Sequence, residues 1–332
     1  MSTTIERILN LLESFRGKAQ VQRFLYEKEV PHSGTWILVR EKIVQGLKAR
    51  KIAQNELIGL LEDIEEHGDQ YVYLYHFDLT DAPRIKDRKS FELLLTDAER
   101  ARTLDKVAVI ENPSAAPTLV SAHYNAEQLK LKWVQKRSFR KPLGETIEGS
   151  VVTVRYQIVD TRAVDLAILD FAQQKATLCI QKIEPGVRDY KKQLNELFTR
   201  LSRFVDSPAL KPLDLGLLMK RMDDKNFGEI RRRRYRALDG DGGLIDVTSP
   251  TESEDIYTGG LYEKGRENYK GAIASLYVNS YWMPINPKLE REIHTIFPYK
   301  QAVNAAIFTQ KCTKSERDYV LSRIEQIARG KP

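Results

Sequence analysis

The chain has 332 residues, 42% of them hydrophobic and 30% charged, with a formal net charge of +7. That length suits about two domains of roughly 150 residues each, and the composition excludes wholesale disorder, collagen and a pure coiled coil. No apolar run approaches the ~20 residues that span a bilayer, and Met1–Glu6 lacks the charge pattern of a secretory leader, so a soluble intracellular protein of cytoplasm or nucleus, without membrane contact, is expected.

Residues 3–78 read as helical. Ile5, Ile8, Leu9, Leu12 and Phe15 recur at helical spacing after Thr3-Thr4. A segment over 19–28 places Val21, Phe24 and Leu25 on one side. A third carries Trp36, Val39, Ile43, Val44 and Leu47, and a fourth carries Leu57, Leu60, Leu61 and Ile64 and stops near His67-Gly68. Tyr71 to Phe77 alternates as a strand whose odd positions are all aromatic, which fits a packed sheet face or, alternatively, a base-stacking platform. Residues 1–78 are therefore expected to form a helical N-terminal domain. It holds 10 Lys and Arg against 12 Asp and Glu, so it is suited to binding a protein partner. Residues 79–118, charged and containing Pro83, read as a linker with a helix over 90–104.

The remaining domain, 119–332, opens with strands near 129–134, 151–158, 164–171 and 176–183, spaced as an antiparallel meander. A helix over 188–205 has Leu194, Leu197, Phe198, Leu201 and Phe204 on one stripe and is expected to cover the sheet. A short helix near 213–222 follows, then a strand over 229–237, a turn at Asp239–Gly243 and a return strand at 244–247. The polar stretch 249–268 reads as a mobile loop, 272–283 as a further strand, and Thr313-Lys314-Ser315-Glu316 as a capping box that opens a last helix. The fold class is α+β: a helical N-terminal domain plus an antiparallel β-sheet domain covered by helices. The helical block running through Arg40-Glu41-Lys42-Ile43-Val44-Gln45 to the strand at 71–77, followed by a sheet domain, resembles the layout of the inner-kinetochore centromere protein N family. The resemblance covers under a quarter of the chain, has no diagnostic motif and assigns no residue a role.

Charge is concentrated in the middle. Residues 119–240 hold 24 Lys and Arg against 15 Asp and Glu, and the rest of the chain sums to −2. Regional asymmetry of this kind suggests a surface facing a polyanion. Two clusters carry it. Lys130, Lys132, Lys136, Arg137, Arg140 and Lys141 are interleaved with Trp133 and Phe139; strand alternation puts the three lysines on one face, as a phosphate row or as a solvated sheet edge. Arg231-Arg232-Arg233-Arg234, Tyr235 and Arg236 form the second. Alternation sends Arg231 and Arg233 one way and Arg232, Arg234 and Arg236 the other. An unpaired buried guanidinium is very costly, so at least one row must be exposed, bound to phosphate or paired with acids such as Asp223, Asp224, Glu229, Asp239 or the 252–255 loop; a nuclear-localisation patch is a third reading.

Catalytic signals are few. The 2 Cys, Cys179 and Cys312, lie far apart and read as reduced and structural. His32, His67, His76, His123 and His294 lack metal-ligand spacing. Asp239-Gly240-Asp241 starts like a calcium loop but has Gly243 and Pro250 where oxygen ligands belong. No phosphate-binding glycine loop, dinucleotide fingerprint or nucleophile elbow is present, and no cofactor is expected. The leading expectation is a non-enzymatic protein that binds DNA or RNA through phosphates, or an assembly protein. One alternative is a protein-interaction scaffold whose arginines are paired internally. Another is a metal-dependent nuclease using Asp165 and Asp170, with Asp160, Lys175 and Lys182 nearby.

Overall fold

The computed structural model describes residues 3–15, 17–182, 190–260, 262–264, 274–285 and 289–330. The fold is α+β, and the chain forms two compact units. One comprises Met1–Glu66 and Phe77–Leu210, the other His67–His76 and Lys211–Pro332. Among the described residues no helix is long and apolar enough to cross a membrane.

In the first unit the helices are α1 (Thr3–Ser14), α2 (Lys18–Glu27), α3 (Trp36–Lys48) and α4 (Gln54–Glu66). Their inward stripes are those of the sequence pattern: Ile8, Leu9 and Leu12 on α1, and Leu57, Leu60, Leu61 and Ile64 on α4, are all buried. The strand β1 (Gly68–Phe77) follows and lies almost wholly in the second unit. The connector forms two short helices, α5 (Arg88–Glu92) and α6 (Asp97–Thr103), instead of one helix over 90–104. The break falls at Thr96, whose hydroxyl and Glu99 close a capping box that starts a new helix.

The sheet of the first unit has β2 (Thr118–Tyr124), β3 (Gln128–Glu148), β4 (Val151–Asp170) and β5 (Lys175–Gln181), each antiparallel to the next. α7 (Tyr190–Leu201) follows; residues 183–189, where the sequence pattern begins this helix, lie outside the described residues.

The meander differs from the sequence reading at one place. The expected strands at 151–158 and 164–171 are a single 20-residue strand, β4, and β3 runs 21 residues, to Glu148. Asp160-Thr161-Arg162 lies within this strand and is not a turn: Asp160 is exposed where the strand leaves the core, and Arg162 reaches the buried Glu65 of α4. Pro142 and Gly144 stand inside β3, where the ladder to β4 slips by one residue. A bulge in a strand with no second neighbour accommodates both.

The second unit orders its strands β1-β11-β10-β9-β7-β8. These are β7 (Ile230–Leu238), β8 (Leu244–Thr248), β9 (Ala274–Trp282), β10 (Ile293–Phe297) and β11 (Ala305–Lys311), with β6 (Leu210–Pro212) beside β1. The pairs β1/β11, β11/β10, β10/β9, β9/β7 and β7/β8 are antiparallel. α8 (Gly216–Met222) packs on the last helix, α9 (Lys314–Ala328), whose Thr313–Glu316 capping box forms as expected. Val320, Leu321, Ile324, Ile327 and Ala328 are its buried stripe.

Candidate functional site

Lys130 and Lys132 share one face of β3, as alternation requires, but that face meets α4. Glu62, Glu65 and Glu66 stand on the last turns of α4, where the helix dipole disfavours carboxylates. The sheet supplies the compensating cations. Lys132, with no exposed side-chain surface, lies 2.5 Å from Glu65 and 3.3 Å from Glu66. Lys130 lies 3.1 Å from Glu66 and 3.6 Å from Glu62. Arg162, from β4, donates to Glu65 and to the carbonyl of Ile110, with its guanidinium 5.5 Å from the Phe15 ring. Burial opposes charge on Lys132, yet the neighbouring carboxylates outweigh it and hold the ammonium above its ordinary value. Burial likewise opposes ionisation of Glu65, and Arg162 and Lys132 overcome it, so its pKa is lowered. Glu62, farther from the cations, is raised by burial. Lys130 and Lys132 are thus committed to α4 and present no row of ammonium groups to solvent.

The other face of β3 and β4 carries Arg137 and Asp165. Asp165 is buried and accepts from Arg137 at 2.5 Å and from Arg200 of α7 at 2.7 Å, and the Arg200 guanidinium lies 5.6 Å from the Trp133 ring. The three carboxylates weighed for a nuclease do not converge. Asp160 stands on the opposite face, where Ser138 donates to it at 2.6 Å and Lys136 lies 3.2 Å away. Asp170 is five residues beyond Asp165, about 17 Å along the strand, and accepts from the backbone of Gln173. Among the described residues no group of three or more His, Cys, Asp or Glu could hold a metal ion.

The arginines of β7 are all engaged inside the second unit. Their arrangement departs from simple alternation because Arg233 is an extra residue in the ladder: Arg232 pairs with Ser280 and Arg234 with the adjacent Asn279. The bulge reverses parity. Arg232 therefore points inward with Ile230, while Arg234 and Arg236 flank the inward Tyr235 and Ala237. Arg232 reaches Asp255 at 3.0 Å, donates to the carbonyls of Met222 and Asp224 at the end of α8, and stacks 4.8 Å from the Tyr257 ring. Arg231 pairs with Glu292 and lies 4.4 Å from the Tyr281 ring. Arg233 donates to the backbone and hydroxyl oxygens of Ser249, each at 2.6 Å. Arg234 grips Asp246 with both nitrogens at 2.9 and 2.7 Å, and Arg236 does so at 3.0 and 2.5 Å. Held first by Arg234 and then by Arg236, the Asp246 carboxyl drops to about 2. The stretch 249–260, read from sequence as mobile, packs along β7 through Ser249 and Ile256 backbone bonds; residues 261 and 265–273 lie outside the described residues.

The outer half of the β3–β4 hairpin is exposed. β2 pairs β3 only as far as Val134, and β5 pairs β4 only from Asp165. Beyond those points the two strands form a ladder with each other, from Lys136 opposite Arg162 to Glu148 opposite Val151, and the Lys136 backbone N–H also donates to the Ser114 carbonyl at 2.7 Å. The ladder closes on Gly149-Ser150. Gly149, at φ 58°, occupies the left-handed position that a type II′ hairpin turn requires. Gly144 follows the bulge at φ 155°, which also favours glycine.

Register assigns the faces of this arm. Arg140, Pro142, Glu145 and Ile147 lie opposite Ile158, Tyr156, Val154 and Val152, and share a face with them. On that face Ile147 is 65% exposed, Tyr156 52% and Ile158 71%. The other face carries Lys141, Gln157, Arg155, Thr146 and Thr153. Of the sequence-selected cations, Lys136, Arg140 and Lys141 are exposed here, and among the described residues only Lys136 has an acidic partner, Asp160. Arg155 belongs with them but was not selected, because it sits alone among apolar residues in the sequence. No protein-family model matches the chain, and no curated protein matches it.

Proposed function

We propose that the protein is a non-enzymatic assembly protein whose arginine cluster is structural and whose interaction element is the β3–β4 arm. The observation that carries this reading is a contrast. Arg231, Arg232, Arg233, Arg234 and Arg236 all have carboxylate or carbonyl partners within their own unit, whereas the arm exposes a contiguous apolar face. An isolated two-stranded hairpin is at best marginally stable in water, and exposed apolar patches of this kind mark interaction surfaces. Buried cations such as Lys132 and Arg137 would have to leave carboxylates 2.5 Å away in order to meet phosphate.

A second reading, binding to the phosphate backbone of DNA or RNA, is favoured by Arg140, Lys141 and Arg155 on the arm. Its size is bounded: three cations would give a log–log salt slope of about −3, at roughly −0.9 per phosphate contact. Binding of labelled duplex DNA, single-stranded DNA and RNA to the full chain is measured across a salt series, for wild type and for Arg140→Ser/Lys141→Ser/Arg155→Ser. The assembly reading expects no binding at low salt. Binding with a shallow slope that the triple variant abolishes supports the second reading. A steep slope unaffected by the triple variant overturns both.

A further inference from the structure

We propose that the apolar face of the β3–β4 arm is a self-association surface, and that its occupant is the same face of a second copy of this chain, packed antiparallel. This rests on the reading of the arm as an interaction element and names its partner.

The pattern from Arg140 to Glu145 on β3, and from Ile158 to Val154 on β4, is self-complementary. Reading outward on the β3 side, the face carries Arg140, Pro142 and, past the bulge, Glu145; on the β4 side it carries Ile158, Tyr156 and Val154. A two-fold axis crossing the arm at the Pro142–Tyr156 pair maps each side onto itself and reverses its direction. Arg140 then faces Glu145 of the second copy, Ile158 faces Val154, and Tyr156 faces Tyr156. Every contact off the axis occurs twice, as an isologous interface requires. Arg140 and Glu145 are both exposed, with no ion-pair partner among the described residues. The opposite face has no such symmetry: about the same axis Arg155 would meet Gln157 and Lys141 would meet Gly144, with no charge pair formed.

Packing two ribbons face to face also supplies what a lone hairpin lacks, a cover about 10 Å away for its apolar side. Edge-to-edge pairing would leave Ile147, Tyr156 and Ile158 in water. The surface is small, well under the ~800 Å² per partner of a standard interface, so association is concentration-dependent.

Sedimentation velocity of the full chain over roughly 1–100 µM tests the proposal. Wild type is expected to shift from monomer to dimer. Tyr156→Asp, at the two-fold centre and exposed, is expected to stay monomeric with an unchanged circular dichroism spectrum. Arg140→Glu and Glu145→Arg are each expected to weaken association about tenfold through like-charge contact, and the double variant to restore it. A monomer at every concentration, or a dimer indifferent to these variants, overturns the proposal. Monomer together with absent nucleic-acid binding overturns self-association alone and leaves the arm to a different protein. Nucleic-acid binding lost in the Arg140→Ser/Lys141→Ser/Arg155→Ser variant overturns the assembly reading itself.

Discussion

Lys132→Met is the most informative perturbation of the fold. Methionine keeps the length of the side chain and leaves no large cavity, so the effect is that of a lost charge. Lys132 is completely buried, with Glu65 at 2.5 Å and Glu66 at 3.3 Å. Removing one partner of a buried ionic group costs about 3–5 kcal/mol, because the remaining charge is stranded in a poor solvent. That is a large share of the ~5–15 kcal/mol that holds a typical domain together. Arg162 and Lys130 still touch the two carboxylates, which places the expected loss at the lower end, about 3 kcal/mol. The pH dependence gives a second handle. In the native protein the Glu65 carboxyl is held below its ordinary value. It therefore contributes stability above the unfolded pKa, which is lost as pH falls through the lower folded one. Without Lys132, burial is opposed by Arg162 and Lys130 alone, and the carboxyls at the site take up a proton more readily than in the wild type. The variant's deficit should then shrink between pH 7 and pH 5. Urea denaturation at both pH values measures this. A loss below about 1 kcal/mol at pH 7, with an unchanged pH profile, would refute a buried, charge-balanced network.

Three further outcomes follow from the same geometry. Asp246→Asn removes the shared partner of Arg234 and Arg236 and should cost about 1 kcal/mol at neutral pH; because the Asp246 carboxyl sits at about 2, the wild-type advantage should persist above its unfolded value and fade as an acid titration of stability falls through about pH 2. Asp165→Asn strands Arg137 and Arg200 together and should destabilise by about 3 kcal/mol, while the melting temperature of the wild type should be insensitive to Mg²⁺ or Mn²⁺ if Asp165 serves as their counter-charge and not as a metal ligand. Both cysteines are buried, and burial pushes the Cys312 thiol up to about 12, so a thiol reagent should label neither in the native protein and both after denaturation.

Much of the architecture was legible because its signals are local. The apolar stripes of α1, α4 and α9, the Thr313–Glu316 cap and the Asp239–Gly243 turn follow from spacing that each segment carries in itself. One clue to the buried network was also present: Glu65 stands four residues after Leu61 and eight after Leu57, on the inward stripe of α4. A carboxylate at a core position demands a buried cation, and Lys132, between Leu131 and Trp133, was a candidate. The polar triplet Asp160-Thr161-Arg162 looked like a turn because a strand leaving its core and a chain reversing direction both replace apolar residues with polar ones.

What the sequence by itself determined was the class of the fold, the inward residues of its helices and the presence of two basic strands. Only the tertiary structure decided what those basic strands meet. Periodicity is set by backbone geometry within a few residues, whereas the partner of a charge is set by whichever chain segment the fold brings within 4 Å. Glu65 and Glu66 are more than 60 residues from Lys132, and Asp255 is 23 from Arg232. A single bulge at Arg233 was enough to turn Arg232 inward and leave Arg234 and Arg236 to share Asp246. The arm was decided in the same way: β2 and β5 stop short of it and leave its edges unpaired, and its apolar face is exposed.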